Sequence, residues 1–261
     1  MQGSFRERYG PWALVAGASV GLGEAFARGL AARGLHLFLL ARRTDVLEAL
    51  ASSLRQSAGV EVRVASVDLA RPDLAAVLEE TTQGVEIGLA VYNAAYAPIG
   101  EVLDRKLEDL MRIVDVNVRG PLVLARTLAP AMVSRGRGGL VLMSSMAGFQ
   151  GAPRIATYAA TKAFTTVLAE SLWSELAPRG VDVIASCAGA IRTPGYAKTS
   201  KGDAPGTLDA VAVAERTLDA LGRGPTVVPG ATNQLARFVL GRMISRRAAI
   251  AIMARSTKEL T

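Results

Sequence analysis

The sequence predicts an α/β fold: a doubly wound parallel sheet of about seven strands, with helices on both faces. Three observations carry this expectation. Short apolar runs of strand length alternate with segments of helical periodicity from residue 12 to residue 228. The turn Gly17-Ala-Ser-Val-Gly21-Leu-Gly23 stands between the first apolar run and an Ala-rich helix, the context a nucleotide-binding βα unit needs. Residues able to do chemistry fall at the C-terminal ends of the runs, the edge where open α/β sheets bind ligands.

Taken in order, residues 12–16 form the first expected strand and 24–33 the first helix, stopped by Gly34. The second strand covers 35–40 and is followed by a helix over 44–56, with Thr44 as its N-cap. A third strand covers 60–67 and ends at Asp68-Leu69; a helix over 72–82 starts at Pro72. The fourth strand covers 88–92 and ends in Asn93-Ala-Ala95. Helices are expected over 107–116 and 117–135, then a fifth strand over 140–143 that delivers Ser144 and Ser145. A long helix over 157–178, a sixth strand over 181–186, a helix over 208–221 and a short strand over 226–228 complete the alternation. Such a series calls for parallel strands with right-handed crossovers. Residues 1–229 therefore read as one domain, and 230–261 as a basic, partly amphipathic helical extension packed on it. Residues 195–206 are polar and Gly-rich, and are expected to be a mobile lid over the ligand-bearing edge.

Composition narrows the function. Half of the 261 residues are hydrophobic and 20% are charged, which allows a sizeable core, but only 5% are aromatic, so that core must be mainly aliphatic. The lone Cys187 excludes an intrachain disulfide and a metal cluster. The one histidine, His36, sits inside an apolar run and is taken as structural, so no metal site is expected and a triad on any other His is excluded. The net charge of +7 is concentrated in the tail, where Arg237, Arg242, Arg246, Arg247, Arg255 and Lys258 face only Glu259. No zinc-finger spacing or aromatic–basic interleaving accompanies it, so nucleic acid is not expected as a partner. The chain opens without an apolar signal segment, and no apolar run reaches membrane-spanning length; a cytoplasmic location is the expectation.

The chemistry centres on Tyr158-x-x-x-Lys162, which a helix places on one face. A phenol titrating near ~10 is a poor acid or base at neutral pH, and a neighbouring ammonium is expected to lower it toward working range. Alone, the pair also reads as a solvated helical ion-and-ring contact. The glycine turn reads as a pyrophosphate cradle that uses backbone N–H groups and the helix N-terminus. At the end of the second strand, where an acid would bind ribose hydroxyls, Ala41 is followed by Arg42 and Arg43. Guanidinium groups there suit a 2′-phosphate, so NADP(H) is expected over NAD(H).

Together these residues resemble the short-chain dehydrogenase/reductase family, over residues 13–196. The resemblance implies a Rossmann-type sheet and assigns a catalytic set of Asn117, Ser145, Tyr158 and Lys162. Ser145 is preferred over Ser144 because the family serine lies thirteen positions before the tyrosine. Cofactor contacts are implied for Gly17, Ser19, Val20, Gly21, Leu22, Gly23, Arg42, Arg43, Asp68, Leu69, Asn93, Ala94, Gly189, Ile191 and Thr193, with Tyr158 and Lys162 shared. Lys162 would also hold the nicotinamide ribose, and Asn117 would fix a water that relays protons. The chain departs from the family pattern at Ala16, at Tyr92 and Ala95, and at Ala188, none of them a reacting group. A homodimer or homotetramer through helices 117–135 and 157–178 is implied as well.

The expected activity is hydride transfer between nicotinamide and the carbonyl or secondary alcohol of a mostly apolar substrate. Ser145, Tyr96, Phe149 and Tyr196 would contact that substrate, and the ketoacyl and hydroxysteroid reductase branches are the similar ones. A non-catalytic NADP(H)-binding regulator and an epimerase or dehydratase on the same fold are the alternatives. Peripheral membrane contact by the tail is the weaker of its readings, behind docking or oligomerisation.

Overall fold

The computed structural model describes residues 4–200 and 202–258. Lys201 of the expected lid and Glu259 of the basic tail lie outside them, as do residues 1–3, 260 and 261.

Helix α1 (Phe5–Tyr9) precedes β1 (Trp12–Ala16), and the chain then alternates: α2 (Leu22–Ala32), β2 (His36–Ala41), α3 (Thr44–Ala58), β3 (Val62–Ser66), α4 (Leu74–Thr81) and β4 (Ile87–Tyr92). Next come α5 (Leu107–Val114), α6 (Gly120–Arg135), β5 (Gly138–Ser145), α7 (Ala156–Leu176) and β6 (Val181–Ala188). A short pair, β7 (Ile191–Arg192) and β8 (Leu208–Asp209), brackets α8 (Pro194–Thr199). The chain continues through α9 (Ala210–Ala220), β9 (Thr226–Val227), α10 (Ala231–Phe238) and α11 (Arg246–Lys258). The main sheet has seven parallel strands in the order β3-β2-β1-β4-β5-β6-β9. The order reverses between β1 and β4, which opens a crevice at their C-terminal ends.

The strands are buried on both sides, and alternate residues feed two cores. Ala13, Val15, Leu37, Leu39 and Val91 point to the face covered by Phe26 and Leu30 of α2, Leu47 and Leu54 of α3, and Leu218 of α9. Leu14, Leu40, Leu140, Leu142 and Val183 point to the opposite face, under Leu74 of α4, Leu124 and Met132 of α6, and Ala169 of α7. Each fully buried leucine contributes roughly 1.5–3 kcal/mol, so two such layers hold the strand ends in fixed register.

The structure differs from the sequence expectation at several places, among them α1 and β7, which were not expected. The helices expected over 107–116 and 117–135 are joined without a break through a π-helical turn, Asp115–Arg119, which carries Asn117. Residues 208–209 pair as a strand before α9 starts. The expected lid contains a helix, α8, capped by Thr193. The tail is two helices, since the chain turns extended at Ile244 after a π turn over Val239–Met243. Among the described residues no helix is long and apolar enough to cross a membrane.

Candidate active site

The glycine turn is built by close approach. Gly17 and Ala18 donate their N–H groups to Leu40 O at 2.8 and 3.2 Å, bending the chain away from β1. Gly17 (φ 85°) and Gly21 (φ 62°) occupy the left-handed region that favours glycine. At Gly23 a Cβ would lie 1.9 Å from Gly17 O, so the first turn of α2 rests directly on the loop. Asn93 fixes the loop from β4, its side-chain amide donating to Gly17 O at 2.9 Å while its N–H and that of Ala94 bond Ala16 O. Those bonds stabilise the turn at the position where Ala16 replaces the family threonine. No side chain caps α2, so its first N–H groups stay available to an anion.

In front of this turn lies a cleft of about 430 Å³. Of the residues implied for cofactor binding, Gly17, Ser19, Val20, Leu22, Arg42, Arg43, Asp68, Leu69, Asn93, Ala94 and Thr193 line it, as does Tyr96. Gly21 shapes the turn from behind and approaches Thr193, whose Cγ2 would lie 3.0 Å from a Cβ there. Gly189 and Ile191 lie outside the lining, the first packed against Asn233 and the second in β7. Arg42 is exposed and makes no side-chain hydrogen bond or ion pair among the described residues, while Arg43 reaches Ser19 Oγ at 3.4 Å. An exposed guanidinium, an uncapped helix and a turn with glycine at three of its positions fit a phosphorylated dinucleotide.

The expected reacting groups come from β5 and α7. Ser144 and Ser145 are adjacent on β5 and face opposite ways. Ser144 is buried, its Oγ donating to Lys162 O at 2.7 Å and paired with Thr166 Oγ1 at 2.7 Å; it staples β5 to α7. Ser145 is half-buried, accepts Ala147 N–H at 3.2 Å and neighbours the Tyr158 phenol. Gly148 makes the approach feasible, because a Cβ there would lie 2.7 Å from Ala163 N. Sequence spacing gave no hint of this glycine.

Tyr158 and Lys162 share a face of α7, with Nζ 5.5 Å from the ring centroid. Lys162 is 3% exposed and donates to Met143 O at 2.6 Å. Burial lowers its pKa from 10.5 to about 8, with the Cys187 thiol opposing weakly. Burial also raises the Tyr158 phenol above its ordinary value, with Ser145 pulling the other way as a hydrogen-bond partner. This reverses the expected direction, since desolvation acts on the phenol more strongly than the ammonium held against Met143 O. The phenol is therefore a proton donor at neutral pH.

Asn117 joins the cleft to α7. Its side-chain Oδ1 accepts Tyr96 N–H at 2.9 Å, and Nδ2 donates to Tyr96 O at 2.9 Å and Thr161 Oγ1 at 3.2 Å. The side chain is thus committed to holding the 94–96 segment. Tyr92, a departure from the family pattern, has a place here: its hydroxyl donates to Val116 O in the π turn at 2.6 Å. Gly120 leaves room for that phenol.

The tail covers the region beside Tyr158. Met253 of α11 packs with Ala147, Ala152, Ile155, Ala159 and Tyr158. Arg246 donates to Phe149 O at 2.8 Å, and Arg237 stacks 4.6 Å from the Phe149 ring. Asn233, 5% exposed, donates to Gly206 O at 3.0 Å and Pro229 O at 2.9 Å, tying the lid's end to α10. The lid's tip is closed by Tyr196, whose hydroxyl donates to Gly202 O and accepts from Ala204 N–H, both at 3.0 Å. At its base, Arg192 pairs with Asp203 and Asp209 at 2.6 and 2.8 Å. Of the expected substrate contacts, Tyr96 lines the cleft, while Phe149 packs against the tail and Tyr196, in α8, is held within the lid.

Arg112, Asn233 and Met253 are the functional-site residues that sequence reasoning missed. Arg112 meets Asp68 across 44 residues, Asn233 meets Gly206 across 27, and Met253 packs on a segment about a hundred residues earlier, so no local motif announces them.

Comparison with known proteins agrees with this geometry. Residues 11–204 match the model of the short chain dehydrogenase family. The chain is 34% identical over 200 residues to a 7β-hydroxysteroid dehydrogenase of Clostridium sardiniense, covering 77% of each protein. A solved structure of a 7β-hydroxysteroid dehydrogenase superposes with a TM-score of 0.91 at 28% identity, over 96% of this chain and 99% of that one. A short-chain dehydrogenase from Sphingobium yanoikuyae, solved in complex with NADPH, superposes with a TM-score of 0.80 at 30% identity, over 92% and 95%.

Proposed function

The chain belongs to the short-chain dehydrogenase/reductase family and is an NAD(P)(H)-dependent oxidoreductase of carbonyl and alcohol substrates; from that premise we propose that it prefers NADP(H) and acts on a bulky, apolar ketone or the matching secondary alcohol. The observation that carries the cofactor preference is Arg42, a guanidinium that follows β2, makes no side-chain hydrogen bond or ion pair among the described residues, and lines the same cleft as the glycine turn. The substrate class is supported by the apolar cluster of Ala147, Ala152, Ile155 and Met253 around Tyr158, and by the similarity to 7β-hydroxysteroid dehydrogenases.

A nicotinamide cofactor held in the cleft would supply or accept the hydride. Ser145 holds the substrate oxygen by its hydroxyl. Tyr158 gives that oxygen a proton in reduction and takes one in oxidation, a transfer typically worth 10²–10⁴-fold in rate. Lys162 keeps a positive charge behind the phenol as negative charge develops there. Asn117 holds Tyr96 and α7 in register, so the reacting groups start aligned. Leu122 on α6, and Val167 and Trp173 on α7, are large exposed apolar residues that support a homodimer or homotetramer. A cytoplasmic location completes the reading.

The test is binding of NADPH and NADH to purified protein, followed by fluorescence, for wild type and Arg42→Ala. Tight NADPH binding that weakens in the variant, followed by NADPH oxidation on addition of a rigid polycyclic ketone, is the expected result. Equal affinity for both cofactors would overturn the preference, and an inert panel of bulky ketones the substrate class. Turnover without net change in NADPH absorbance would move the assignment to an epimerase or dehydratase.

A further inference from the structure

The adenosine end of the cleft contains an electrostatic conflict. Arg42 and Arg43 suit a phosphate, yet Asp68 lines the same wall, with its carboxylate 43% exposed. Its charge is kept: burial works against it, but Arg112, the Ala70 N–H and the field of Arg42 hold the carboxyl below its usual range. A full negative charge in a cleft for a 2′-phosphate would repel the ligand unless something offsets it.

Arg112 occupies the position that offsets it. It projects from α5, lines the cleft, and donates from one terminal nitrogen to both Asp68 oxygens, at 2.9 and 3.1 Å. Its guanidinium also lies 5.7 Å from the centroid of the Tyr96 ring, whose backbone Asn117 holds. The pair is therefore fixed from three elements: the end of β3, α5 and the segment after β4. We infer that Arg112 is a specificity-determining residue, which screens Asp68 so that the cleft accepts a phosphorylated adenosine ribose. This inference rests on the NADP(H) reading of the cleft and deepens it. It predicts a differential effect. NADPH carries charge at the ribose 2′ position and NADH carries none there, so unmasking Asp68 penalises NADPH selectively.

The experiment is measurement of Kd for NADPH and NADH by fluorescence at one fixed, low ionic strength. Wild type, Arg112→Gln, Arg112→Lys, and Arg112→Gln combined with Asp68→Asn are compared, with thermal unfolding confirming that each is folded. Arg112→Gln is expected to lower the NADPH-over-NADH preference about threefold to fivefold, the range of a partly exposed charge pair. Arg112→Lys keeps the cation and retains most of the preference. Adding Asp68→Asn to Arg112→Gln removes the unmasked charge and restores it. Loss of NADPH and NADH affinity by the same factor in Arg112→Gln would overturn the inference, because Arg112 would then only hold Asp68 or the fold in place. Failure of the double variant to recover would overturn it too. A wild type without preference sinks the NADP(H) reading and this inference together. A wild type with preference whose ratio is unmoved in Arg112→Gln sinks this inference alone.

Discussion

Replacing Lys162 tests the physics of the candidate active site through stability rather than turnover. The ammonium is 3% exposed, and burial takes its pKa from 10.5 to about 8. At 1.36 kcal/mol for each tenfold change in proton affinity, holding that charge in the fold costs roughly 3 kcal/mol. The sign follows from proton counting. Between about pH 8 and 10.5 the unfolded chain binds more protons at this lysine than the native state does. The cost is therefore present in full below pH ~8 and is relieved as pH rises toward ~10.5, so this lysine makes wild type gain stability over that window. Lys162→Met removes the charge and keeps most of the side-chain volume, but strips Met143 O of its donor, a loss of about 1–3 kcal/mol. At pH 7 the variant should match wild type or exceed it by up to roughly 2 kcal/mol. The assay is urea unfolding of both proteins at pH 7 and 9.5. The stability difference should move by roughly 2 kcal/mol in favour of wild type at the higher pH. A difference that stays constant with pH would refute the reasoning, since the lysine would then not be paying a desolvation cost in the native state.

Other substitutions probe separate parts of the site. Tyr158→Phe should lower turnover of a bulky ketone by about 10²–10⁴-fold and leave NADPH affinity within about threefold, because only the proton transfer is removed; unchanged turnover would favour a non-catalytic regulator. Gly23→Ala places a Cβ 1.9 Å from Gly17 O, and thermal unfolding should show a loss of about 3 kcal/mol together with weakened NADPH binding. Asn233→Ala deletes two hydrogen bonds, of which the one to Gly206 O ties the lid to α10; a stability loss of about 2 kcal/mol and a raised KM for the ketone are expected, with cofactor affinity retained. Ending the chain at Ser245 removes Met253 from the Tyr158 cluster, and steady-state kinetics should show KM for a bulky ketone rising about tenfold.

How much of this was legible in the chain depends on the range of the interactions. The sheet was legible because burial on both faces forces apolar strands, and β1, β2 and β4 differ from their expected bounds by a residue at most. The π turn was not, since it inserts one residue into a continuous helix and leaves no composition signal; the expected break fell at its middle. The choice of Ser145 over Ser144 came from spacing, and the structure supplies the reason it is chemically sensible: Ser144 spends its hydroxyl under α7. The direction of the Tyr158 shift was misread because a charge four residues away is visible in a sequence, whereas the protein packed around the phenol is not.

By itself the sequence determined what is local. Glycine placement, helix-face spacing and strand periodicity follow from backbone geometry within about ten residues, and they set the fold class, the glycine turn and the Tyr158–Lys162 pair. Tertiary structure alone decided what depends on desolvation and on contacts between distant segments. It buried Lys162 and lowered its pKa, and it set Arg112 against Asp68 across forty-four residues. It also folded a basic tail back so that Met253 joins the apolar cluster around Tyr158 and Asn233 holds Gly206. Burial and encounter are properties of the packed chain, and no short stretch of residues encodes them.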